Sequence, residues 1–287
     1  MCSYLINGVV ADYLTVHDRA IHYGDGLFET ILCHNKQLYF WPQHYFRLKQ
    51  SAEKIKLSCP DESLLLDDIA ELLKDCDEGL SYAIKIIITR GSGKRGYQFE
   101  KKSTINRLIF SSMIEKSYSS LLSNKLLSGD LTICEQQVSI NENLAGLKHL
   151  NRLENVLARN EEAIVNNNNV IDGLMLNANK YAIECTTSNI FTVKNNQLYT
   201  PKLNQSGVQG VMRGTVIELA KKNNIKVSFL DMTINDIDTM DEMFITNSLI
   251  GMKKIDYLNN TNFTSCDATE SIFDTLLKDK ASYVQAI

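Results

Sequence analysis

The chain has 287 residues, a formal net charge of -4 at pH 7, and 44% hydrophobic and 22% charged residues. This length corresponds to roughly two domains, and the dispersed lysines and arginines exclude the basic surface that nucleic-acid-binding proteins need. No segment has the apolar length of a membrane span and the N-terminus does not resemble a signal peptide, so we expect a cytoplasmic protein. The seven cysteines never form a C-x-x-C pair and the five histidines lack metal-ligand spacing, which predicts reduced thiols and no metal site.

In the N-terminal half, strand patterns come first and helical periodicity follows. The Gly24-Asp25-Gly26 turn leads into a strand in which Glu29 and Thr30 point to opposite faces. One of these two side chains could line a cavity, although simple strand alternation explains the pattern equally well. The predicted elements, in order, are a strand over residues 4–10 broken at Asn7-Gly8, strands over 27–33 and 37–41, helices from 42 and over 62–76, and strands over 82–89 and 106–114.

A basic, glycine-rich loop, RGSGKRGY at residues 90–97, follows the strand over residues 82–89. Three glycines and three basic residues at the mouth of a strand suit an anion-binding loop. A solvated basic hairpin is the alternative, and the loop alone does not decide between them. Residues 115–128 are rich in Ser, Lys and Asn, which indicates a boundary between an N-terminal domain over 1–116 and a C-terminal domain over 117–287.

The segment AGLKHLNRLENVLARNEE, at residues 145–162, contains the most informative lysine. Asn151 as N-cap, with Glu154 three residues later, predicts a helix that begins at Arg152. Lys148 then lies in the turn before the helix, where the helix dipole and the neighbouring leucines disfavour its charged form and favour a nucleophilic amine. Judged from the local sequence alone, a solvated turn lysine is the simpler interpretation. The predicted buried side of the helix comprises Leu153, Val156, Leu157 and Ile164.

Two later turns are candidates for binding phosphate. A glycine-bearing loop at residues 207–214 leads into a predicted helix over 215–222, and a predicted strand over 241–245 ends in Thr246-Asn247-Ser248. Together with a nucleophilic lysine and an acid, these turns meet the needs of pyridoxal phosphate: an amine, a carboxylate for the ring nitrogen and donors for the phosphate. The other predicted elements are strands over 131–138, 172–177 and 181–185, two strands hinged at Asn195-Asn196, and a terminal helix over 271–280.

Seven motifs occur in an order that resembles the fold type IV pyridoxal-phosphate enzymes: GDGLFET, H-x-x-RL, TRGSGKRGY, LAGLKHLNRLENVLAR, ECTTSNIF, GVMR and DEMFITNSL. The resemblance covers most of the chain, from about Leu5 to Ile255. The family includes branched-chain and D-amino-acid aminotransferases and 4-amino-4-deoxychorismate lyases, and RGSGKRGY and LAGLKHLNRLE match the lyases most closely. The resemblance implies an α/β (α+β) fold, with an N-terminal two-layer α/β sandwich, a C-terminal pseudo-barrel with helices that carries the cofactor lysine, and the cofactor between them. It also implies a homodimer.

The resemblance assigns cofactor roles to single residues. Lys148 matches the lysine that holds pyridoxal 5'-phosphate covalently, and Glu184 matches the glutamate that keeps the pyridine nitrogen protonated. Arg47 matches the arginine that pairs with the phosphate. The remaining phosphate donors implied are the backbone of Val211 and Met212 and the hydroxyl of Ser248.

The resemblance also bears on the reaction. Lyases of the family commonly have a threonine at the position of Thr30, our candidate for assisting proton transfer. Arg95 and Tyr97 stand where D-amino-acid aminotransferases grip the substrate carboxylate with an arginine and a histidine, so Tyr97 departs from that pattern. Leu153 replaces a tyrosine of the branched-chain enzymes. These residues favour an aminodeoxychorismate lyase of folate biosynthesis, supplied with substrate by aminodeoxychorismate synthase.

Two alternatives remain open. A D-amino-acid or branched-chain aminotransferase would use the same lysine but would return the proton to the cofactor and release a keto acid. A non-enzymatic pyridoxal-phosphate carrier would need the cofactor residues alone. The additional polar residues Thr30, Arg95 and Tyr97 argue against such a carrier.

Overall fold

The computed structural model describes residues 3–100 and 103–287 and divides into two compact units. Unit 1 comprises Met1–Lys116, Lys148–Asn151 and Tyr283–Ile287, and unit 2 comprises Ser117–Leu147 and Arg152–Ser282. The sequence predicts that residues 117–287 form one domain that carries the lysine. In the structure, Lys148 and its neighbours belong instead to unit 1, as does the C-terminal segment.

Unit 1 is an antiparallel sheet covered by helices, as expected for an α/β sandwich. Its elements are β1 (Ser3–Ile6), α1 (Arg19–Tyr23), β2 (Gly26–His34), β3 (Gln37–Tyr39), α2 (Trp41–Lys54), α3 (Glu62–Leu72), β4 (Ser81–Thr89), β5 (Asn106–Ile114) and a C-terminal strand (Val284–Ala286). The strand order is β1-β5-β4-β2-β3 followed by the C-terminal strand. Leu27 and Ile31 of β2 pack in one apolar core with Leu48 of α2 and Ile69 of α3. The strand period of two therefore places Phe28 and Thr30 on the other face.

The open edge of β2 explains why Lys148 belongs to unit 1. Strand β3 pairs with β2 only at Cys33 and His34, which leaves the beginning of this edge available for pairing. The Phe28 N–H donates to the Lys148 carbonyl at 3.0 Å, and the Leu150 N–H donates to the Gly26 carbonyl at 3.1 Å. Pairing satisfies backbone groups that an open edge would expose. The lysine is therefore held in an extended segment and not in a turn that feeds a helix.

Unit 2 is built on a nine-stranded mixed sheet with the order β11-β10-β9-β12-β13-β6-β7-β8, and β14 pairs with β13. The Ala182 N–H donates to the Met232 carbonyl at 2.8 Å, which links the two ends of the sheet and curls it into a half-barrel. The strands are β6 (Leu127–Ile133), β7 (Val170–Leu176), β8 (Ala182–Cys185), β9 (Asn189–Lys194), β10 (Gln197–Pro201), β11 (Val227–Leu230), β12 (Glu242–Asn247), β13 (Gly251–Leu258) and β14 (Thr261–Asn262). The predicted sandwich and pseudo-barrel are both confirmed.

The helices of unit 2 are α4 (Ser120–Ser123), α5 (Leu153–Arg159), α6 (Glu162–Val165), α7 (Val211–Lys222), α8 (Ile234–Ile237) and α9 (Asp267–Asp279). Short 3-10 helices occur at Lys116–Tyr118 and Lys280–Tyr283, where the chain passes from one unit to the other. Within the described part of the chain, none of these helices has the length and apolar character of a transmembrane segment. Helix α7 begins at Val211, earlier than predicted, because Gly210 serves as its N-cap.

The predicted capping box before α5 is wrong. Arg152 occupies the N-cap position and makes no side-chain capping bond. Asn151 donates to the Gly24 carbonyl at 3.4 Å, and the Glu154 carboxylate accepts from the backbone N–H and the hydroxyl of Ser139 at 2.8 and 2.7 Å. Leu153, Val156 and Leu157, predicted to be buried, are 69%, 55% and 52% exposed, and only Ile164, in the separate helix α6, is buried. Helix α5 packs through Ala158 instead.

Candidate active site

Lys148 lies beside an aromatic ring on the edge of the unit 1 sheet. The Leu27–His149 bridge sets Lys148 opposite Phe28, so their side chains leave the same face of the sheet. The Lys148 Nζ atom lies 4.2 Å from the centroid of the Phe28 ring. Thr30 follows on this face of β2, and both Lys148 and Thr30 are half-buried. The amine, the ring and the hydroxyl therefore share one face of unit 1.

The opposite face of β2 carries Glu29, which pairs with two side chains of α2. His44 and Arg47 are three residues apart, so they lie on the same side of the helix. The His44 Nδ1 atom lies 2.6 Å from Glu29 Oε2, and the Arg47 Nε–H donates to Glu29 Oε1 at 2.8 Å. Arg47 Nη2 donates to the second carboxylate oxygen. We call these three residues the Glu29 cluster.

The protonation states in the Glu29 cluster follow from burial and charge. Burial acts to raise the pKa of Glu29, but the charge of Arg47 and the hydrogen bond from His44 outweigh it and lower the pKa to about 2. Desolvation lowers the pKa of His44, against the raising effect of Glu29. Glu29 is thus ionised and His44 is neutral near pH 7. The neutral imidazole carries its proton on Nδ1, facing the carboxylate.

In unit 2, Glu184 is a buried carboxylate on β8. It is 4% exposed, and its Oε2 accepts from the Val208 backbone N–H at 2.8 Å. The loop that donates this bond needs a glycine, because Gly207 has a φ of 80° and a Cβ there would lie 2.8 Å from the Ile183 side chain. Burial lowers the pKa of nearby Arg213 to about 10, while the charge of Glu184 acts to raise it. This setting suits a carboxylate that holds a protonated ring nitrogen.

The loop that contacts Glu184 leads into α7. Val211 and Met212, both buried, form its first turn, and Gly210 at the N-cap provides no side-chain bond to that turn. The Asn189 side chain donates to the Val208 carbonyl at 2.9 Å, and a Cβ on Gly210 would lie 2.0 Å from Asn189 Oδ1. Backbone N–H groups at the start of a helix suit an anion.

Ser248 lies in the turn after β12. The Asn247 Oδ1 atom accepts from the backbone N–H groups of Leu249 and Ile250, both at 2.9 Å, and closes this turn. Its Nδ2 donates to the Thr187 carbonyl at 3.3 Å. Because Thr187 follows Glu184 in the β8–β9 connection, hydrogen bonds link the Ser248 turn to the strand that carries the carboxylate.

Asp172 of β7 fixes that connection and was not predicted from the sequence. It is 1% exposed. Its carboxylate accepts from the Thr186 N–H at 3.1 Å, from the Thr187 hydroxyl at 2.8 Å and also from the Thr186 hydroxyl. The only available signal was an acidic residue inside an apolar strand, VIDGLML. An ionised side chain in such a place is expected to have buried partners.

The two proposed substrate residues lie on the basic loop of unit 1. Tyr97 is 86% exposed, and Arg95 is exposed and lines a cavity of about 250 Å³ together with His17, Arg19, His22, Tyr23, Gly93 and Lys94. Arg19, also missed from the sequence, is buried and donates to the carbonyls of Gly96 and Tyr97 at 2.9 and 3.2 Å. It thereby fixes the path of the loop.

Arg90 does not serve as an anion ligand of that loop. It is 3% exposed and donates to the Asp25 carboxylate and to the carbonyls of Ile55 and Lys56. Burial acts to raise the pKa of Asp25, but the hydrogen bonds and charges of Arg90 and Arg19 lower it. Arg90 therefore holds the base of the loop in place.

Unit 1 thus provides an amine and a guanidinium, and unit 2 provides a buried carboxylate and two turns suited to phosphate. Each of these groups suits one part of pyridoxal 5'-phosphate, as expected of an enzyme that uses this cofactor. The Amino-transferase class IV family model matches residues 26–257, and the chain belongs to this family. The residues that the sequence predicts to hold the cofactor remain predictions: Lys148, Glu184, Arg47, Val211, Met212 and Ser248.

Individual relatives point to one activity more than to others. The chain is 33% identical to an aminodeoxychorismate lyase of Vibrio harveyi, over 88% of this chain and 90% of the relative. It is 31% identical to a provisionally named branched-chain-amino-acid aminotransferase of Methanocaldococcus jannaschii, over 81% and 78%. The crystal structure of 4-amino-4-deoxychorismate lyase from Pseudomonas aeruginosa superposes with a TM-score of 0.85 at 30% identity and covers 96% of this chain and 98% of that one.

Proposed function

We propose that this protein is an aminodeoxychorismate lyase, which converts 4-amino-4-deoxychorismate to 4-aminobenzoate and pyruvate in folate biosynthesis. The similarity to the Vibrio harveyi lyase over 88% of the chain carries the proposal. The hydroxyl of Thr30 on the face that Phe28 shares with Lys148 supports it. Aminodeoxychorismate synthase would supply the substrate. A cytoplasmic location is part of the proposal, since the six described cysteines are free thiols.

The reaction is an elimination that consumes neither water nor an oxidant. The amine of Lys148 removes the proton from the ring carbon that bears the substrate's amino group. The carbon–oxygen bond to the enolpyruvyl group then breaks, the oxygen leaves with the electron pair and a proton, and the ring becomes aromatic. Pyridoxal phosphate, when bound, acts as the electron sink that makes the first proton acidic. Arg95 and Tyr97 are the candidates for binding the substrate.

Thr30 provides the test of this assignment. Its Oγ1 can both donate and accept a proton, and we propose that it assists the transfers made by Lys148. Thr30→Ala should lower lyase turnover by about 10²-fold, the usual contribution of a positioned acid or base, while Thr30→Ser should retain most of it. The assay follows 4-aminobenzoate, with substrate generated from chorismate and ammonia by a separate synthase.

Unchanged turnover in Thr30→Ala would remove Thr30 from the mechanism. The same preparations should be tested for amino transfer from D-alanine or a branched-chain amino acid to a keto acid. An aminotransferase activity is the second candidate function, because the Methanocaldococcus relative is 31% identical to this chain. Formation of a keto acid without 4-aminobenzoate would establish the aminotransferase activity and contradict the proposed lyase activity.

We further propose that the protein is a homodimer, with the apolar face of α5 at the interface. Leu153, Val156 and Leu157 have helical spacing and are 69%, 55% and 52% exposed, and such faces commonly mark contact surfaces. Leu157→Glu should shift the mass measured by light scattering from dimer to monomer, because an ionised side chain would be buried without a partner. Leu64→Glu, at a site 38% exposed on α3, is the control and should leave the mass unchanged. If the Leu157→Glu variant still had the mass of a dimer, this face of α5 would not be the dimer interface.

A further inference from the structure

Glu29 is a carboxylate in an apolar setting. It is 2% exposed and lies on β2 between the core residues Leu27 and Ile31. An ionised group in such a place destabilises the fold unless it is paired and hydrogen-bonded. A hydrophobic residue would fill the same space without that requirement, so the charge calls for an explanation beyond packing.

The geometry of the pair restricts Arg47. Glu29 accepts from both Nε and Nη2 of Arg47, which fixes the plane of the guanidinium as well as its distance. A single hydrogen bond would still allow the arginine side chain to rotate. The Arg47 side chain is 12% exposed, so it is held near the surface of unit 1 with its Nε–Nη2 edge turned to Glu29.

His44 restrains the carboxylate in turn. Its Nδ1–H donates to Glu29 Oε2 at 2.6 Å, and its side chain is fully buried. The His44 Nε2 atom has no hydrogen-bond partner among the described residues. A buried unpaired nitrogen is unfavourable, which is unexpected in a cluster that serves stability alone.

We propose that Glu29 and His44 are positioning residues that orient Arg47 to bind the cofactor phosphate. The proposal rests on the proposed role of Arg47 as a phosphate ligand. The ionised carboxylate and the guanidinium offset each other's charge, so the cluster contributes direction and fixed donors to the anion more than net charge. Neutral His44 anchors the carboxylate without adding a second cation.

The test compares two ligands that differ only in the phosphate. Apoprotein of each full-length variant is titrated with pyridoxal 5'-phosphate and with pyridoxal, and both dissociation constants are measured by absorbance. Glu29→Gln keeps the shape but loses the charge and the paired acceptors. It should weaken pyridoxal-phosphate binding by roughly tenfold or more, a usual effect of losing an orienting partner, and pyridoxal binding by less than about threefold. The control is Glu62→Gln, which alters a carboxylate that accepts from Trp41 of α2, the helix that carries His44 and Arg47. It should change neither dissociation constant.

His44 variants provide a second route if Glu29→Gln does not fold. The amide of His44→Asn can replace the Nδ1–H donor and should preserve the phosphate preference, whereas His44→Gln places its amide at the Nε2 position and should reduce it. Equal weakening of both ligands in Glu29→Gln, or equal preferences in the two His44 variants, would overturn the proposal.

Arg47→Ala separates the two levels of inference. If Arg47→Ala loses the preference for pyridoxal 5'-phosphate over pyridoxal but Glu29→Gln keeps this preference, the positioning role of Glu29 is wrong. The assignment of Arg47 as a phosphate ligand then stands. If Arg47→Ala keeps the preference, Arg47 is not the phosphate ligand, and the positioning proposal fails with it. Formation of 4-aminobenzoate is measured separately, so neither result alters the test of the lyase activity.

Discussion

Lys148→Ala is expected to lower lyase turnover by about 10³-fold or more, because in the proposed mechanism this side chain provides both the covalent attachment of the cofactor and the base. The cofactor should still bind through the phosphate and ring-nitrogen residues, but sodium borohydride should no longer fix it to the protein. The readout is mass spectrometry of the peptide that spans residue 148 after reduction. In the wild type, this peptide should carry the pyridoxyl group.

The matched control is Lys85→Ala. The Lys85 Nζ atom also lies over the Phe28 ring, at 5.2 Å from its centroid, and the residue is exposed on β4. If proximity to that ring were sufficient, both lysines would be attached to cofactor. Attachment at Lys85, or turnover retained in Lys148→Ala, would contradict the assignment of the cofactor lysine.

Glu184→Gln has the second largest expected effect, a loss of about 10²-fold in turnover with little change in cofactor affinity. The amide keeps an oxygen that can accept from the Val208 N–H, as Oε2 does now at 2.8 Å, so the loop before α7 should retain its path. It lacks the negative charge that keeps a proton on the pyridine nitrogen. Steady-state turnover and the absorbance of the bound cofactor are the two measurements.

Glu218→Gln, on the exposed side of α7, is the control and should behave as the wild type. A mutant at residue 184 that lost affinity for the cofactor in parallel with turnover would indicate a role in shaping the loop. Normal turnover in Glu184→Gln would exclude the carboxylate from the chemistry.

The fold class can be predicted from local sequence patterns. The position of Lys148 cannot, because it depends on pairing with a distant strand. Strand β4 begins at Ser81 and β5 coincides with its predicted range, because apolar runs between turn residues specify strands locally. The pairing of Lys148–Asn151 with β2 depends on an edge that β3 leaves open. No periodicity within residues 145–162 encodes that contact. The same applies to α5, whose exposed leucines resemble a core pattern.

The candidate site likewise has features that local sequence predicts and features that depend on contacts between distant segments. The sequence motifs predict the amine, the carboxylate and the two turns suited to phosphate. The role of each individual residue is implied by the resemblance to a family. Glu29, His44 and Asp172 were missed as partners because their significance depends on hydrogen bonds between distant segments, such as Asp172 with Thr186. The strand sequence FETIL indicates an acidic residue at a core position. It does not indicate which cationic side chain pairs with that residue.

Product stoichiometry is the measurement that tests the central claim most directly. The cofactor-loaded protein is incubated with aminodeoxychorismate made in place by a separate synthase, and 4-aminobenzoate and pyruvate are quantified against Lys148→Ala. We expect equal amounts of both products from the wild type and neither from the variant. Absence of 4-aminobenzoate, with amino transfer to a keto acid instead, would contradict the lyase while leaving the cofactor lysine in place.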